Sequence, residues 1–298
     1  MHRLLALLVG CLIATGILAG AFFWSLDGET PFGPAPQEGM SRLDPRFGNA
    51  AEQEIEQRLL AIHAEVARTA PEHPWAGTYY EGDGLGANVS LSLAPISGFA
   101  FEWHGCMGLY DRNFGLVEEY PDRLEFQFQF PNDRSGFQGL DPVVVPVCWG
   151  ERHYLIPQTQ LEEFCRDVNK GWEPRAEVHG FYLLREGDEE KPAPGLPSVP
   201  PEVRPLLLEA PIEASVIRVG ESWQKDEHYI ATRLTLDKGA KEGIAKDMWM
   251  RLLNPDQHCI VRIDEVETDS CSGVMTTPMR YYVPPEIGWR FSSKVYGP

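Results

Sequence analysis

The sequence is poor in basic residues. Its 298 residues include 26 Lys and Arg against 44 Asp and Glu, which gives a formal net charge of −18. Nucleic acid and anionic membrane surfaces repel such a chain, so both are excluded as electrostatic partners. Neutral ligands and basic protein partners are compatible with this charge.

Motifs of the common catalytic and metal-binding classes are also missing. The sequence has no Cys-x-x-Cys, His-x-x-x-His or Gly-x-Ser-x-Gly spacing. The glycine-rich residues 82–86 lack the Gly-Lys-Ser/Thr of a phosphate loop. The sequence therefore predicts no catalytic residue, no metal site and no cofactor, and it favours a protein that is not an enzyme.

One long apolar run, residues 4–24, lies near the start of the chain. As a helix it extends about 31 Å, which matches the hydrocarbon core of a bilayer. His2 and Arg3 precede the run, and Asp27 and Glu29 follow it. We therefore expect residues 1–24 to form a single-pass membrane anchor, with the bulk of the chain in the periplasm or at the cell surface.

Two processed forms of this segment remain open as alternatives. Residues 19–21 (Ala-Gly-Ala) have the small side chains of a signal-peptide cleavage site. Residues 8–11 (Leu-Val-Gly-Cys) resemble a lipoprotein acceptor box, in which Cys11 would carry the lipid. A retained anchor is the favoured interpretation, and all three interpretations give an exported protein.

Five cysteines follow the apolar run. An oxidising compartment permits disulfides, and an odd number leaves at least one thiol over unless it pairs between chains. Spacing does not define the connectivity, and buried free thiols are an equally good interpretation. The disulfide candidates are Cys106, Cys148, Cys165, Cys259 and Cys271.

Proline and glycine divide the chain into segments. Residues 25–50 form a Pro/Gly-rich tether, and residues 51–70 carry one apolar stripe at helical spacing. This stripe predicts a short amphipathic helix, which either forms a parallel coiled-coil dimer or packs on its own domain. Packing on its own domain is favoured because the stripe covers only two heptads. The stripe consists of Ile55, Leu59, Ile62 and Val66.

The remaining chain is predicted to be mainly β. Residues 74–187 have alternating and aromatic-rich segments separated by turn residues, which predicts an antiparallel β barrel or sandwich. A helical pattern interrupts them at residues 158–169. Residues 188–211 form a Pro-rich linker, and residues 212–298 are predicted to form a smaller C-terminal β-barrel domain.

A family resemblance lies in the C-terminal segment. A predicted strand at residues 229–236 is followed by Asp-Lys-Gly at 237–239, Gly-Ile at 243–244 and a second strand at 248–252. Over residues 230–276 this arrangement resembles the small β-barrel modules of MreC-type cell-shape proteins and of some flagellar assembly proteins. It departs from them at Asp247, where they often have glycine, and at residues 258–259 (His-Cys). The resemblance implies envelope scaffolding and protein contacts, without catalytic residues.

Three stretches combine aromatic and charged residues, at 103–113, 149–154 and 169–175. If they converge at one end of the barrel, they form an aromatic ligand pocket with a charged rim. The favoured alternative is that the tryptophans are core residues and the arginines pair internally. The candidate ligand-binding residues are Trp103, His104, Tyr110, Asp111, Arg112, Trp149, Arg152, Trp172 and Arg175.

These patterns favour a membrane-anchored scaffold or interaction protein of the cell envelope, acting as a homodimer or with an envelope protein partner. A β-barrel module that binds a small ligand is the alternative. A hydrolase that uses two carboxylates has less support, because a chance pair is expected among 44 acidic residues. The acidic residues considered for that role are Asp83, Glu102, Asp111 and Glu173.

Overall fold

The protein is mainly β, with two closed antiparallel barrels. The computed structural model describes residues 44–69, 73–82, 87–134, 137–138, 140–172, 182–254 and 259–296. The predicted anchor and most of the predicted tether lie outside the described residues. None of the helices in the described ranges is both long enough and apolar enough to cross a membrane.

The first barrel has eight strands in the order β1-β2-β3-β4-β5-β8-β9-β10, and β10 closes it against β1. Neighbours in the barrel therefore follow one another in sequence, apart from a small hairpin formed by β6 and β7. The strands in this half are β1 Gly77–Gly82, β2 Ala87–Ala94, β3 Gly98–Gly105, β4 Gly108–Glu119, β5 Leu124–Phe128, β6 Asp133–Arg134, β7 Phe137–Gln138, β8 Val143–Trp149, β9 Arg152–Pro157 and β10 Leu183–Arg185.

Large side chains fill the interior of the first barrel. An eight-stranded barrel has an interior just wide enough for side chains to fill, and six aromatic residues share this core with leucines. Phe99 and Phe126 pack with ring centroids 4.8 Å apart, and Phe128 lies 5.5 Å from Phe99. The buried aromatic members of this core are Trp75, Tyr79, Phe99, Phe101, Trp103 and Phe126.

Residues 111–113, at the polar end of the stretch at 103–113, lie within β4 and are buried. The Asp111 carboxylate accepts a hydrogen bond from Arg46 Nη1 at 3.1 Å, and Arg112 Nη2 donates to Glu102 at 2.9 Å. Asn113 Nδ2 donates to the Phe130 carbonyl at 3.0 Å. These polar side chains are tolerated in a buried part of the strand because each one forms a hydrogen bond with another residue.

Helix α1, Asn49–Thr69, packs on the outside of this barrel. Ile55 and Ile62 are buried against residues of β2, β3 and β4, whereas Leu60 on the opposite face is 70% exposed. The predicted apolar stripe therefore packs on its own domain and is not free to form a coiled coil. Glu65 ties the helix to the β2–β3 turn, since its carboxylate accepts hydrogen bonds from Ile96 N at 2.9 Å and Ser97 N at 2.8 Å.

A second cover lies over β8 and β9. Helix α2, Leu161–Asn169, buries Phe164 and Val168 against the outward side chains of these strands. The Pro-rich segment packs beside it through Leu196 and Leu207, and Ser198 N donates to the Cys148 carbonyl at 2.7 Å. The segment predicted as a linker thus lies against the first barrel over much of its length.

The second barrel has six strands in the order β11-β12-β15-β14-β13-β16, and β16 closes it against β11. Its core is mostly aliphatic, with Phe291 as its fully buried aromatic residue. The strands are β11 Glu213–Gln224, β12 Tyr229–Leu236, β13 Trp249–Leu252, β14 Ile260–Val266, β15 Cys271–Pro278 and β16 Arg290–Ser292.

Two left-handed residues turn the chain between β12 and β13. Gly243 has a φ of 93°, and Asp247 has a φ of 67°. Asp is among the few residues with a side chain that tolerate this conformation. Asp247 therefore has a left-handed backbone conformation that glycine also favours. The Asp247 carboxylate also accepts hydrogen bonds from Arg262 at 3.0 and 3.2 Å.

Candidate functional site

The candidate ligand residues of the first stretch contact one another on β3 and β4. The Trp103 ring is buried and meets the Tyr110 ring edge-on, with centroids 5.3 Å apart. His104 is half exposed, and its Nε2 lies 3.7 Å from Glu102. Asp111 and Arg112 are held in the ion pairs described above. These residues form the wall and core of the barrel.

The other candidate ligand residues lie in different surroundings. Trp149 Nε1 donates to the Gly195 carbonyl at 2.9 Å, and Arg152 Nε donates to the Lys191 carbonyl at 2.5 Å, both beneath the Pro-rich segment. The Trp172 ring lies 6.1 Å from Tyr296, beside the second barrel. Arg175 lies outside the described residues. Each stretch therefore makes its contacts with a different part of the chain.

The acidic residues considered for hydrolysis are similarly engaged. Glu102 pairs with Arg112, and Asp111 pairs with Arg46. Asp83 and Glu173 lie outside the described residues. Within the described ranges, no group of three His, Cys, Asp or Glu side chains is placed to hold a metal ion.

An exposed apolar cluster lies at one end of the second barrel, and we call it the aromatic patch. Tyr281 is 62% exposed and Trp223 40% exposed. An open groove of about 430 Å³ adjoins the patch and is lined by Glu221, Trp223 and Arg233. The patch comprises Trp223, Met279, Tyr281 and Val283.

The strand pairing brings this patch together from separate parts of the sequence. Trp223, near the end of β11, pairs with Ala231 on β12, and Tyr229 on β12 pairs with Pro278 at the end of β15. The turn after β15 then folds back, since Met279 N donates to the His228 carbonyl at 2.7 Å. The Ser222 and Tyr282 hydroxyls also lie 3.2 Å apart, so Trp223 and the segment at residues 279–283 lie at the same end of the barrel.

A polar cluster occupies one end of the first barrel, at the turn between β8 and β9. Cys148 on β8 and His153 on β9 are directly paired across the strands, which places their side chains next to each other on one face of the sheet. His153 Nδ1 lies 2.8 Å from Asp188 Oδ2, which also accepts a hydrogen bond from His153 N at 2.9 Å. Lys191 Nζ donates to the other Asp188 oxygen at 2.5 Å.

Each member of this cluster has a shifted pKa. The neighbouring His153 imidazole lowers the pKa of the Cys148 thiol, and the hydrogen bond with Asp188 raises the pKa of His153. Burial opposes ionisation of Asp188, but the hydrogen bonds from His153 and Lys191 outweigh it and hold the pKa of Asp188 below its usual value. All three shifts favour a thiolate beside a protonated imidazole.

A second hydrogen-bonded pair, Arg185 and Tyr79, closes the same end of the barrel. Arg185 Nη2 donates to the Tyr79 hydroxyl at 3.2 Å and to the His73 carbonyl at 2.9 Å. Burial raises the pKa of Tyr79 to about 12, so this phenol is neutral at physiological pH. The Arg185 charge contributes to the lowered pKa of Cys148.

The other described cysteines differ from Cys148, although all five carry free thiols. Burial raises the pKa of Cys165 to about 11, that of Cys271 to about 12, and that of Cys259 above its usual value. Cys106 is exposed in the β3–β4 turn, with its sulfur 3.6 Å from the Tyr110 hydroxyl. Cys148 is half-buried.

The sequence analysis treated Cys148 as a disulfide candidate or a buried free thiol and did not connect it with His153 or Asp188. Their pairing follows from the hairpin, because Gly150 and Glu151 form the turn and residues on either side oppose one another. Asp188 is 35 residues from His153, and no local pattern indicates that contact.

No protein-family model, curated protein or solved structure matches this chain. The aromatic patch and the polar cluster are therefore interpreted from their own geometry.

Proposed function

We propose that this protein is an exported, membrane-anchored scaffold or interaction protein of the cell envelope, and that the aromatic patch of its second barrel binds a protein partner. The observation that carries the proposal is the exposure of Trp223, Met279, Tyr281 and Val283 together. Exposed aromatic residues beside a groove have the composition of the energetic centres of protein interfaces.

Charged side chains lie beside the aromatic patch. Arg233 at the groove is paired with Asp264 at 2.7 Å, and Glu221 lies beside it. Apolar side chains at the centre with charged side chains around them match the anatomy of non-obligate interfaces. The resemblance of residues 230–276 to MreC-type modules agrees with a role in protein contacts.

The anchor supplies the second half of the proposal. Residues 4–24 would hold both barrels outside the cytoplasmic membrane. The alternative, a barrel that holds a small ligand, has less support because aromatic side chains already fill the interior of the first barrel.

Photocrosslinking in the native host tests the patch. We expect full-length protein with a photoreactive amino acid in place of Trp223 to give one discrete crosslinked species. A species of twice the chain mass indicates a homodimer, and another mass indicates a different envelope protein. The matched control is Tyr120 on the first barrel, which is 37% exposed against 40% for Trp223. Absence of a product at Trp223, or the same product at Tyr120, would overturn the proposal.

A further inference from the structure

Two of the described thiols are accessible to solvent, and their surroundings differ. Cys106 lies in an exposed turn beside Tyr110, whereas Cys148 is half-buried and paired across the strands with His153. Val145, Val147 and Trp149 face the cover formed by α2, so the alternation of β8 places the Cys148 side chain on the opposite face, toward the barrel end.

The His153 ring is held in a defined orientation. Its Nδ1 lies 2.8 Å from Asp188, whose side chain is 1% exposed, and its backbone N–H donates to the same oxygen. Because Nδ1 is engaged by the carboxylate, Nε2 is the ring nitrogen that is available to accept a proton. The Cys148 thiol, the His153 imidazole and the buried Asp188 carboxylate therefore follow one another as neighbours. This is the arrangement of a nucleophile, its base and the group that orients the base.

We propose that Cys148 is a nucleophilic thiol that attacks disulfides, with His153 as its proton acceptor and Asp188 as the positioning residue. The Cys148 thiolate forms a bond to one sulfur of the substrate, and the substrate S–S bond breaks. The second sulfur leaves as a thiolate and takes the proton held by His153. The products are a mixed disulfide on Cys148 and a free thiol, so atoms and electrons balance with the disulfide as the oxidant.

A disulfide suits this site because its cleavage requires an accessible thiolate and no binding site for a developing oxyanion. Among the described residues, the charged and titratable groups around Cys148 are His153 of β9, Arg185 of β10 and Asp188 in the turn beyond it. Lys191 lies beyond Asp188, and Tyr79 of β1 lies beyond Arg185. His153 makes the largest contribution to the lowered pKa of Cys148. The Arg185 charge also favours the thiolate, whereas the Asp188 charge disfavours it.

The test measures the rate at which the reduced full-length protein reacts with dithiobisnitrobenzoate from about pH 5 to about pH 9. All variants also carry Cys11→Ser. In that background Cys106→Ser reports Cys148, and Cys148→Ser reports Cys106 as the control thiol, because the other three described cysteines are buried. We expect the rate for Cys148 to rise at a lower pH than the rate for Cys106. In the Cys106→Ser background, His153→Gln is expected to move that midpoint upward and to slow the reaction near neutral pH by about tenfold. Asp188→Asn is expected to shift the midpoint in the same direction by less.

Identical midpoints for the two thiols, or an unchanged Cys148 profile in His153→Gln, would overturn the proposal. Since His153→Gln could unfold the barrel end, the ultraviolet absorbance of the thiolate is also titrated in Cys106→Ser alone. A rise of this absorbance only above the usual thiol pKa would contradict the proposal.

Two further experiments identify the source of the disulfide from the intact mass of the protein. An adduct from oxidised glutathione indicates a small-molecule disulfide, an adduct from insulin indicates a protein disulfide, and no adduct from either counts against the proposal.

Discussion

The two barrels solve the same packing problem with different side chains. Eight strands enclose a wider interior than six, so the first barrel needs aromatic rings such as Phe99 and Phe101 to fill it. The second barrel is narrower and fills its interior with residues such as Val261, Ile263 and Met275. The wider barrel thus has the more aromatic core, and the narrower barrel has the more aliphatic one.

The outer faces of the barrels differ as well. The first barrel carries apolar residues outward, among them Val145 and Ile156, and it needs α1, α2 and the Pro-rich segment to cover them. Within the described ranges, its half of the chain also holds all the buried charged residues, whereas the buried polar residues of the second barrel are Ser and Thr. The buried charged residues are Arg46, Glu65, Asp111, Arg112, Arg152, Asp167 and Asp188.

The largest expected effect comes from breaking a buried ion pair in the first barrel. Asp111→Ala is expected to lower its free energy of unfolding by about 3 kcal/mol, because it removes the acceptor of two buried hydrogen bonds, from Arg46 Nη1 and from Arg112 N, although Arg46 keeps its ion pair with Asp44. In the second barrel, Asp264→Ala removes the partner of Arg233 from a pair whose members are 38% and 37% exposed. That change is expected to cost about 0–1 kcal/mol.

Urea unfolding followed peptide by peptide with hydrogen exchange separates the two barrels in the intact chain. Equal losses of stability in Asp111→Ala and Asp264→Ala would contradict the difference in how the barrels use charge.

The next effect depends on pH. Burial alone would raise the pKa of Glu65, but hydrogen bonds from Ser97 and Ile96 and the Arg68 charge outweigh it and hold that pKa below its usual value. The resulting stabilisation is present above the unfolded-state pKa and is lost as the pH falls through the folded-state pKa. Glu65→Gln is therefore expected to cost about 1–3 kcal/mol at neutral pH and less in acid.

The control is Glu56→Gln on the exposed face of the same helix, where the expected change is within about 0.5 kcal/mol. Thermal unfolding of both variants at neutral and acidic pH measures the difference. A loss for Glu65→Gln that is the same at both pH values would mean that the carboxylate charge does not hold the β2–β3 turn.

Much of this architecture could be predicted from local pattern. Alternation indicated strands such as β8 and β12, and the spacing of Ile55 and Ile62 indicated the side of α1 that packs. The longest strands of the two barrels, β4 and β11, were not predicted. Polar residues at 111–113 interrupt the apolar pattern of β4, and only their distant partners make that strand stable.

The sites follow the same rule. The pairing of Cys148 with His153 could be derived from the two-residue turn between them, because antiparallel strands align residues symmetrically around a turn. The third member, Asp188, reaches them through the closure of the barrel by β10, which depends on the whole fold. The aromatic patch likewise combines Trp223 with Met279 and Tyr281 through strand order.

The smallest expected effect lies in the second barrel, where backbone conformation rather than charge is tested. Asp247 has a φ of 67°, a conformation that glycine adopts without steric cost. Asp247→Gly is expected to leave the free energy of unfolding unchanged or to raise it by up to about 1 kcal/mol, since the exposed contact with Arg262 that it loses is weak. Asp247→Ala loses the same contact but keeps a Cβ, and it is expected to cost about 1 kcal/mol. Because the two variants differ in backbone freedom and not in charge, urea unfolding that ranks alanine above glycine would show that the turn does not require a left-handed residue.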